Sequence, residues 1–324
     1  MTVLALTLGD RYGVGAELVA RFTAALPAIP GVRIAVVGDR QVFERGRRTE
    51  GLSGDYPVSA NLEDLPDTPW CFVDWPFAAE VEPVGRVSAD AGREVLATLE
   101  RLVAAVGAGQ VQGIVYAPLN KQAMREAGHA AGDELDYFTR ALPTARPTGE
   151  INILGNVWTS RVTSHVPLKD VAKGITFDTV TRGIELMHET LRQAGKAAPR
   201  IAVAALNPHA GEGGAFGIEE IEVIMPAVVA ARARQLRVEG PFPSDTVFPR
   251  AIGGAFDGVV TMFHDQGQIA LKLIGLGQGI TLLAGFPVPI ATPGHGTAFD
   301  IAGTGQAKVE GLAAAVSLVA RMMR

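Results

Sequence analysis

IAVAALNPHAGEGG, residues 201–214, decides the fold class. Ile201–Ala205 is an apolar run of strand length, and it ends in a polar, glycine-dense turn that carries His209. The same design recurs elsewhere. INILGNVWTSRVTSHVPLKD (151–170) delivers His165 to a turn just before Pro167, and FDGVVTMFHDQGQ (256–268) delivers His264 beside Asp265. Further strands are expected at Val3–Leu8, Arg33–Val37, Gly113–Ala117, Gly258–Phe263 and Ile280–Leu283. Apolar residues at helical spacing predict helices over Val14–Leu26, Ala89–Val106, Thr179–Ala194, Glu219–Gln235 and Val309–Met323. Strands that alternate with helices predict an α/β protein with a mostly parallel sheet flanked by helices.

The composition bounds the function. The chain has 324 residues, 48% of them hydrophobic and 19% charged, enough for one large domain or two modest ones. A net charge of −5 with no basic stripe argues against nucleic-acid binding. Cys71 is the single cysteine, which excludes an intrachain disulfide framework and a cysteine zinc site. The apolar run Thr2–Leu8 lacks a basic n-region and reads as a first strand rather than a signal peptide. No apolar stretch approaches the length of a membrane span. The expected location is the cytoplasm, and the expected partner is a small molecule rather than a nucleic acid or a membrane. Gly51–Pro69 reads as an irregular connection, and Leu142–Thr148, with Pro143 and Pro147, as a linker or hinge.

Of the six histidines, His188 falls in a helix and reads as packing, and His129 falls in a loop and reads as solvated. His165, His209 and His264 each close an apolar run. Loops at the carboxyl ends of strands form the ligand crevice of open α/β sheets. Three neutral imidazoles on such loops can share one metal ion and leave a position open for substrate. The plain alternative is that each is hydrogen-bonded to a neighbour. The Gly-rich loop LGDRYGVGAE (8–17) opens a helix but lacks G-x-G-x-x-G, so it offers either an anion site or an ordinary turn. GLGQG (275–279), with Gly277 and Gly279, is a second such loop. PGHGTAFDIAGTGQAK (293–308) is more specific, because its glycines allow close approach to a flat ligand such as adenine. Asp300 can accept from both hydroxyls of a ribose, and its charge repels a 2′-phosphate, which favours NAD over NADP. Lys121, in YAPLNK directly after a strand, is a candidate for proton transfer or carboxylate binding, with a surface lysine as the alternative.

TSHVPLKD (163–170), LNPHAGEGG (206–214), SDTVF (244–248), HDQGQIALK (264–272) and GHGTAFDIAG (294–303) together resemble the signature blocks of the 4-hydroxythreonine-4-phosphate dehydrogenase family. The resemblance covers nearly the whole chain, in the right order. It implies an isopropylmalate dehydrogenase-like fold, with two α/β/α subdomains around a central cleft. The first would take residues 1–125 and 275–324, and the second residues 126–274. It implies metal ligands at His165, His209 and His264, one of them supplied by the partner subunit of a homodimer whose active site lies at the interface. Zinc is the first expectation for the divalent metal, with Mg, Mn or Co as alternatives. It further implies a substrate lysine at Lys272, a polar active-site residue at Asp245, and NAD contacts at His295, Gly296, Thr297, Ala298, Asp300, Ile301, Gly277 and Gly279.

Departures from the family pattern point away from a phosphorylated substrate. The family's His-Thr pair is missing around Gly132, Asp133, Glu134 and Asp136. Thr281 stands in place of a substrate-holding asparagine and Ile290 in place of an arginine. Losing an arginine fork removes a strong phosphate handle. The expected activity is therefore metal-dependent, NAD-linked oxidation of a hydroxy acid or cis-dihydrodiol carboxylate, with decarboxylation, as in the terephthalate dihydrodiol dehydrogenase branch. 4-Hydroxythreonine-4-phosphate dehydrogenase is the alternative. A metal-dependent hydrolase or lyase without NAD, or a non-catalytic ligand-binding relative, represents another class.

Overall fold

The computed structural model describes residues 1–129, 133–275 and 279–324. Gly132 and Gly277 lie outside the described residues. The chain forms two compact units, Met1–Pro143 with Phe286–Arg324, and Thr144–Gly285.

The first unit begins β1 (Thr2–Thr7), α1 (Gly15–Ala24), β2 (Val32–Gly38), α2 (Arg40–Thr49), β3 (Val58–Ser59), β4 (Trp70–Asp74), α3 (Ala89–Gly107), β5 (Gly113–Tyr116), α4 (Lys121–Glu126) and α5 (Glu134–Ala141). The second holds β6 (Gly149–Leu154), β7 (Val157–Arg161), α6 (Val171–Gly174), α7 (Phe177–Gln193), β8 (Arg200–Ala204), α8 (Met225–Ala233), β9 (Arg237–Phe242), α9 (Ser244–Ile252), β10 (Gly258–Thr261), α10 (His264–Ile274) and β11 (Ile280–Ala284). The chain then returns to the first unit with β12 (Ile290–Pro293) and α11 (Glu310–Met322).

In the first unit the strand order is β3-β4-β2-β1-β5-β12, parallel throughout. Leu4, Ala5 and Leu6 of β1 are all fully buried, although successive side chains point to opposite faces. A parallel strand covered on both faces needs such a continuous apolar run. The second unit is mixed, in the order β11-β6-β7-β10-β8-β9. Its first two pairings are antiparallel and the rest parallel. The expectation of a mostly parallel sheet therefore holds fully in one unit and partly in the other. The exception is the β6–β7 hairpin, which the sequence reading took as a single run.

The unit boundaries also differ from the expected 126 and 274, and the reasons are contacts. Phe138 of α5 packs with ring centroids 6.3 Å from Tyr116 and 6.2 Å from Phe286, which ties α5 to the first unit. β11 pairs with β6 along its whole length, which ties it to the second. Among the described residues no helix is long and apolar enough to cross a membrane.

Candidate active site

The topology of the second unit places the three histidines. β7, β10 and β8 are adjacent and parallel, so their carboxyl ends share one edge. His165 follows β7, His264 follows β10 and His209 follows β8. The middle strand carries His264, and its ring lies 5.8 Å from that of His165. His264 Nδ1 is 2.7 Å from Asp265 Oδ1, which leaves Nε2 to face a ligand. β7 and β8 flank β10, so their ends stand roughly 10 Å apart at the usual strand spacing. Among the described residues of one chain, no group of three or more His, Cys, Asp or Glu side chains is gathered tightly enough to hold a metal. His165 and His264 are brought together, and His209 is placed on the same edge beside them.

Two of these histidines sit on strained backbone. His165 has φ 43°. From His209 to Gly213 every residue is left-handed, with φ between 44° and 78°. His209, Ala210 and Glu212 have no glycine's freedom there, and such outliers persist only where surroundings impose them. The residues that lead into this run are held by Glu220, which is buried. Its carboxylate accepts from Leu206 N at 2.8 Å, Asn207 N at 2.7 Å and Asn207 Nδ2 at 2.9 Å. Sequence reasoning missed Glu220, because a glutamate opening an apolar helical segment reads as surface. The expected helix Glu219–Gln235 begins instead with a π-turn, Glu220–Ile224, before α8.

α10 presents His264, Gln268 and Lys272 at i, i+4 and i+8, one helical face. Lys272 is exposed and makes no ion pair with any described residue. Asp245, in the first turn of α9, lines a surface pocket with Asp265, Gln266 and Phe248. Gly279 lies half-buried just before β11 in this same unit.

In the first unit, β1, β5 and β12 are parallel neighbours, and loop 8–17, Lys121 and loop 294–305 leave their common edge. In the 8–17 loop four N–H groups are already engaged: Asp10 N on Pro118 O, Tyr12 N on the Asp10 carboxylate, Gly13 N on Asp10 O and Val14 N on Thr297 O. Its glycines serve close approach; a Cβ on Gly15 would sit 2.0 Å from Leu8 O. Lys121 is 3.5 Å from Glu134, a partly exposed ion pair that occupies its ammonium.

Loop 294–305 is held from beneath. Thr297 is buried, and its carbonyl accepts from Val14 N. Ala298 has φ 44°, and Ile301 N donates to Ala298 O at 3.1 Å. Glu17, buried in α1, accepts from Gly303 N at 3.1 Å and Gly305 N at 3.4 Å. Arg21 donates to Ala307 O and Gly305 O, both at 2.5 Å. The upper side stays open: Gly296 has nothing within 4 Å of a built Cβ, His295 is half-buried with Nδ1 3.0 Å from Gly296 O, and Asp300 is exposed. An open glycine beside an uncommitted carboxylate on a fixed loop fits an adenosine ribose. Glu17 and Arg21 were also missed by sequence reasoning, since both read as ordinary helix residues. His129 is half-buried against Tyr137 at 5.6 Å, not solvated as expected, and His188 packs within α7.

Residues 32–319 match the family described as pyridoxal phosphate biosynthetic protein PdxA. The chain belongs to this family. Its curated relatives include a Rhizobium meliloti (strain 1021) protein provisionally named 4-hydroxythreonine-4-phosphate dehydrogenase 2, 40% identical over 99% of this chain and 93% of that protein. Another is the D-threonate 4-phosphate dehydrogenase of Cupriavidus necator, 39% identical over 94% of this chain and 92% of that protein. Among solved PdxA-like structures, the 4-hydroxythreonine-4-phosphate dehydrogenase of Klebsiella pneumoniae superposes with TM-score 0.86 at 34% identity, covering 99% and 98% of the two chains. The terephthalate 1,2-cis-dihydrodiol dehydrogenase of Burkholderia xenovorans LB400 is more distant, with TM-score 0.70 and 27% identity over 99% and 98%. A β-decarboxylating dehydrogenase from Thermococcus kodakarensis shares the fold alone, at TM-score 0.50 and 12% identity over 99% and 83%.

Proposed function

We propose that this PdxA-family chain is an NAD-linked, divalent-metal-dependent dehydrogenase. Its substrate is a four-carbon, 4-phosphorylated hydroxy acid of the kind named for its relatives, rather than an unphosphorylated dihydrodiol. The observation that carries the chemistry is the pair of imidazoles, His165 and His264, at neighbouring parallel strand ends with rings 5.8 Å apart. The substrate class rests on relatives at 39–40% identity, against 27% for the terephthalate enzyme.

The residues suit the proposed groups. His165 and His264 supply two ligand nitrogens, and a histidine from a second copy completes the set. Exposed apolar side chains support that second copy: Phe216, Ile218, Ile221 and Val229 on and before α8, and Ile269 and Leu273 on α10. Asp300 accepts hydrogen bonds from a ribose, and the 294–305 backbone receives the adenine. When bound, NAD takes up the hydride and the divalent ion polarises the reacting oxygen. Lys272 holds an anionic end of the substrate, and Asp245 lines the surface pocket beside Asp265. Oxidation at the carbon β to the carboxylate yields a 3-keto acid, which loses carbon dioxide readily.

The departures at Thr281 and Ile290 weigh less in the folded chain than in the sequence. Ile290 is fully buried in β12, and the Thr281 hydroxyl accepts a bond from Asn152. The burial of Ile290 is explained by packing within the first unit. NADH formation should be measured with 4-phosphorylated hydroxy acids and with cis-dihydrodiol carboxylates, before and after chelation. Turnover of the phosphorylated acids that chelation abolishes supports the reading. Faster turnover of the dihydrodiol would return the chain to the terephthalate branch.

A further inference from the structure

Asp300, on the open face of loop 294–305, is flanked by two attachments to one helix. Before it, Thr297 O accepts from Val14 N at 3.0 Å, and Val14 is the N-cap of α1. After it, Glu17 Oε2 accepts from Gly303 N and Gly305 N, and Arg21 donates to Gly305 O and Ala307 O. Glu17 and Arg21 stand at i and i+4 of α1, so both work from one helical face. Arg21 is itself fixed by a two-point pair with Glu50, Nε to Oε2 at 2.6 Å and Nη2 to Oε1 at 2.9 Å. Glu50 closes α2. That helix crosses α1 so closely that a Cβ on Gly46 would sit 2.4 Å from Ala16 O. The loop thus rests on two interlocked helices.

The loop's own bonds are short-range. Ile301 N donates to Ala298 O at 3.1 Å and Thr304 N to Ile301 O at 3.2 Å, two successive turns. Ala298, Gly303 and Gly305 all have positive φ, and Ala298 has no glycine's freedom there. Glu17 is 3% exposed, and its second oxygen, Oε1, is buried with no hydrogen-bond partner among the described residues. A buried carboxylate satisfied on one oxygen alone is costly, and an apolar side chain would fill the position at less expense. What the carboxylate adds is a pair of directional, charge-assisted bonds to the loop backbone. A loop fixed in advance takes its ligand without the entropic cost of being ordered at that moment.

We propose that Glu17 is the positioning residue of the nucleotide loop: with Arg21, and through the backbone of Gly303 and Gly305, it holds Asp300 and Gly296 where an adenosine is received. This rests on the proposed NAD-linked reaction. The test is calorimetric titration of the wild type, Glu17→Leu, Glu17→Gln and Arg21→Gln with two probes. ADP-ribose is the cofactor without its nicotinamide, and cobalt(II) reports on the histidines of the second unit. Glu17→Leu fills the same space but leaves both N–H groups unpaired, and should weaken ADP-ribose about tenfold or more, the equivalent of one charge-assisted bond. Glu17→Gln keeps an oxygen for both N–H groups and should recover most of that loss, a rescue that bulk alone does not give. Arg21→Gln, at a more exposed position, should weaken ADP-ribose in the same direction. Cobalt(II) affinity should stay unchanged throughout, and the KM for NAD should rise while kcat is kept. Hydrogen exchange across residues 297–307 should rise in Glu17→Leu without any ligand. ADP-ribose affinity unmoved by Glu17→Leu and Arg21→Gln, or a fall matched by an equal loss of cobalt(II) affinity, overturns the proposal, since the second pattern marks a general loss of structure. A wild type that binds no ADP-ribose sinks the cofactor reading instead, and the exchange measurement then decides by itself whether Glu17 holds the loop.

Discussion

Glu220 shows how much one side chain can govern. It holds the start of a five-residue left-handed run whose first member, His209, is a candidate metal ligand. A Cβ on Gly211 would sit 2.8 Å from the Glu220 carboxylate, so the turn is closed down onto it. Glu220→Gln keeps the shape but replaces one accepting oxygen with a donor, which sets an N–H against the N–H groups of Leu206, Asn207 or the Asn207 amide. The strained backbone should then relax and carry His209 away from its position. Cobalt(II) titration followed by the visible spectrum should show affinity reduced about 10- to 100-fold, the usual cost of losing a support behind a ligand. Hydrogen exchange across residues 206–214 should rise in the same variant without added metal. Unchanged exchange and unchanged cobalt affinity would remove Glu220 from this role.

At the scale of elements, α10 carries the largest share of the candidate site, with His264, Gln268 and Lys272 on one face. Leu271 anchors it, buried in a cluster with Leu154, Val247, Phe248 and Val259. Leu271→Ala should cost about 2–4 kcal/mol in urea unfolding. At a temperature where the variant remains folded, kcat/KM should fall as well, because the whole face shifts with its anchor. Loss of stability with kinetics unaltered would show that α10 does not position the site. The sequence made much of this element pattern legible. The apolar runs before His165, His209 and His264 do end at one sheet edge, since a buried parallel strand needs such a run and its carboxyl end is where the chain leaves. The β6–β7 hairpin was not legible as two strands. Its turn is only Gly155–Asn156, and apolar residues continue on both sides, so the run reads as one element until Leu154 is seen to pair with Val157. Likewise Arg161 and Asn152 carry no local motif; they meet through strand pairing, which single-sequence periodicity does not encode.

At the scale of the whole molecule, assembly and pH both enter. An isolated copy leaves Val229 and Ile221 about half exposed and Leu273 83% exposed, on the unit that bears the histidines. Such a patch marks an interaction surface, and a second copy is the proposed occupant. Val229→Glu should shift the protein toward monomer in sedimentation and lower turnover with it, because one ligand is expected from across the interface. An active monomer would refute the shared site.

The buried charges of the first unit make stability depend on pH. Arg11 is wholly buried, 3.2 Å from Glu94 and 3.5 Å from Asp39. Asp10 precedes Arg11, and Arg45 donates to the Arg11 carbonyl. Burial pushes the Glu94 carboxyl up to about 7 and that of Asp10 up to about 6, with nearby arginines opposing the rise only in part. A carboxyl whose folded pKa lies above its unfolded value keeps its proton longer in the folded chain. Its contribution is fully present below the unfolded pKa and is lost as pH climbs through the folded one. For Glu94 that window runs from the ordinary value of 4.5 to about 7. The loss is on the order of 3 kcal/mol for a shift of this size. Glu94→Gln stands in for the protonated form and should therefore match the wild type near pH 5 and exceed it in stability near pH 8. Urea unfolding midpoints taken every half pH unit across that range would show the gap opening. Parallel curves for the two proteins would mean that the Glu94 charge is balanced by Arg11 throughout, and that this buried cluster is not a source of pH dependence.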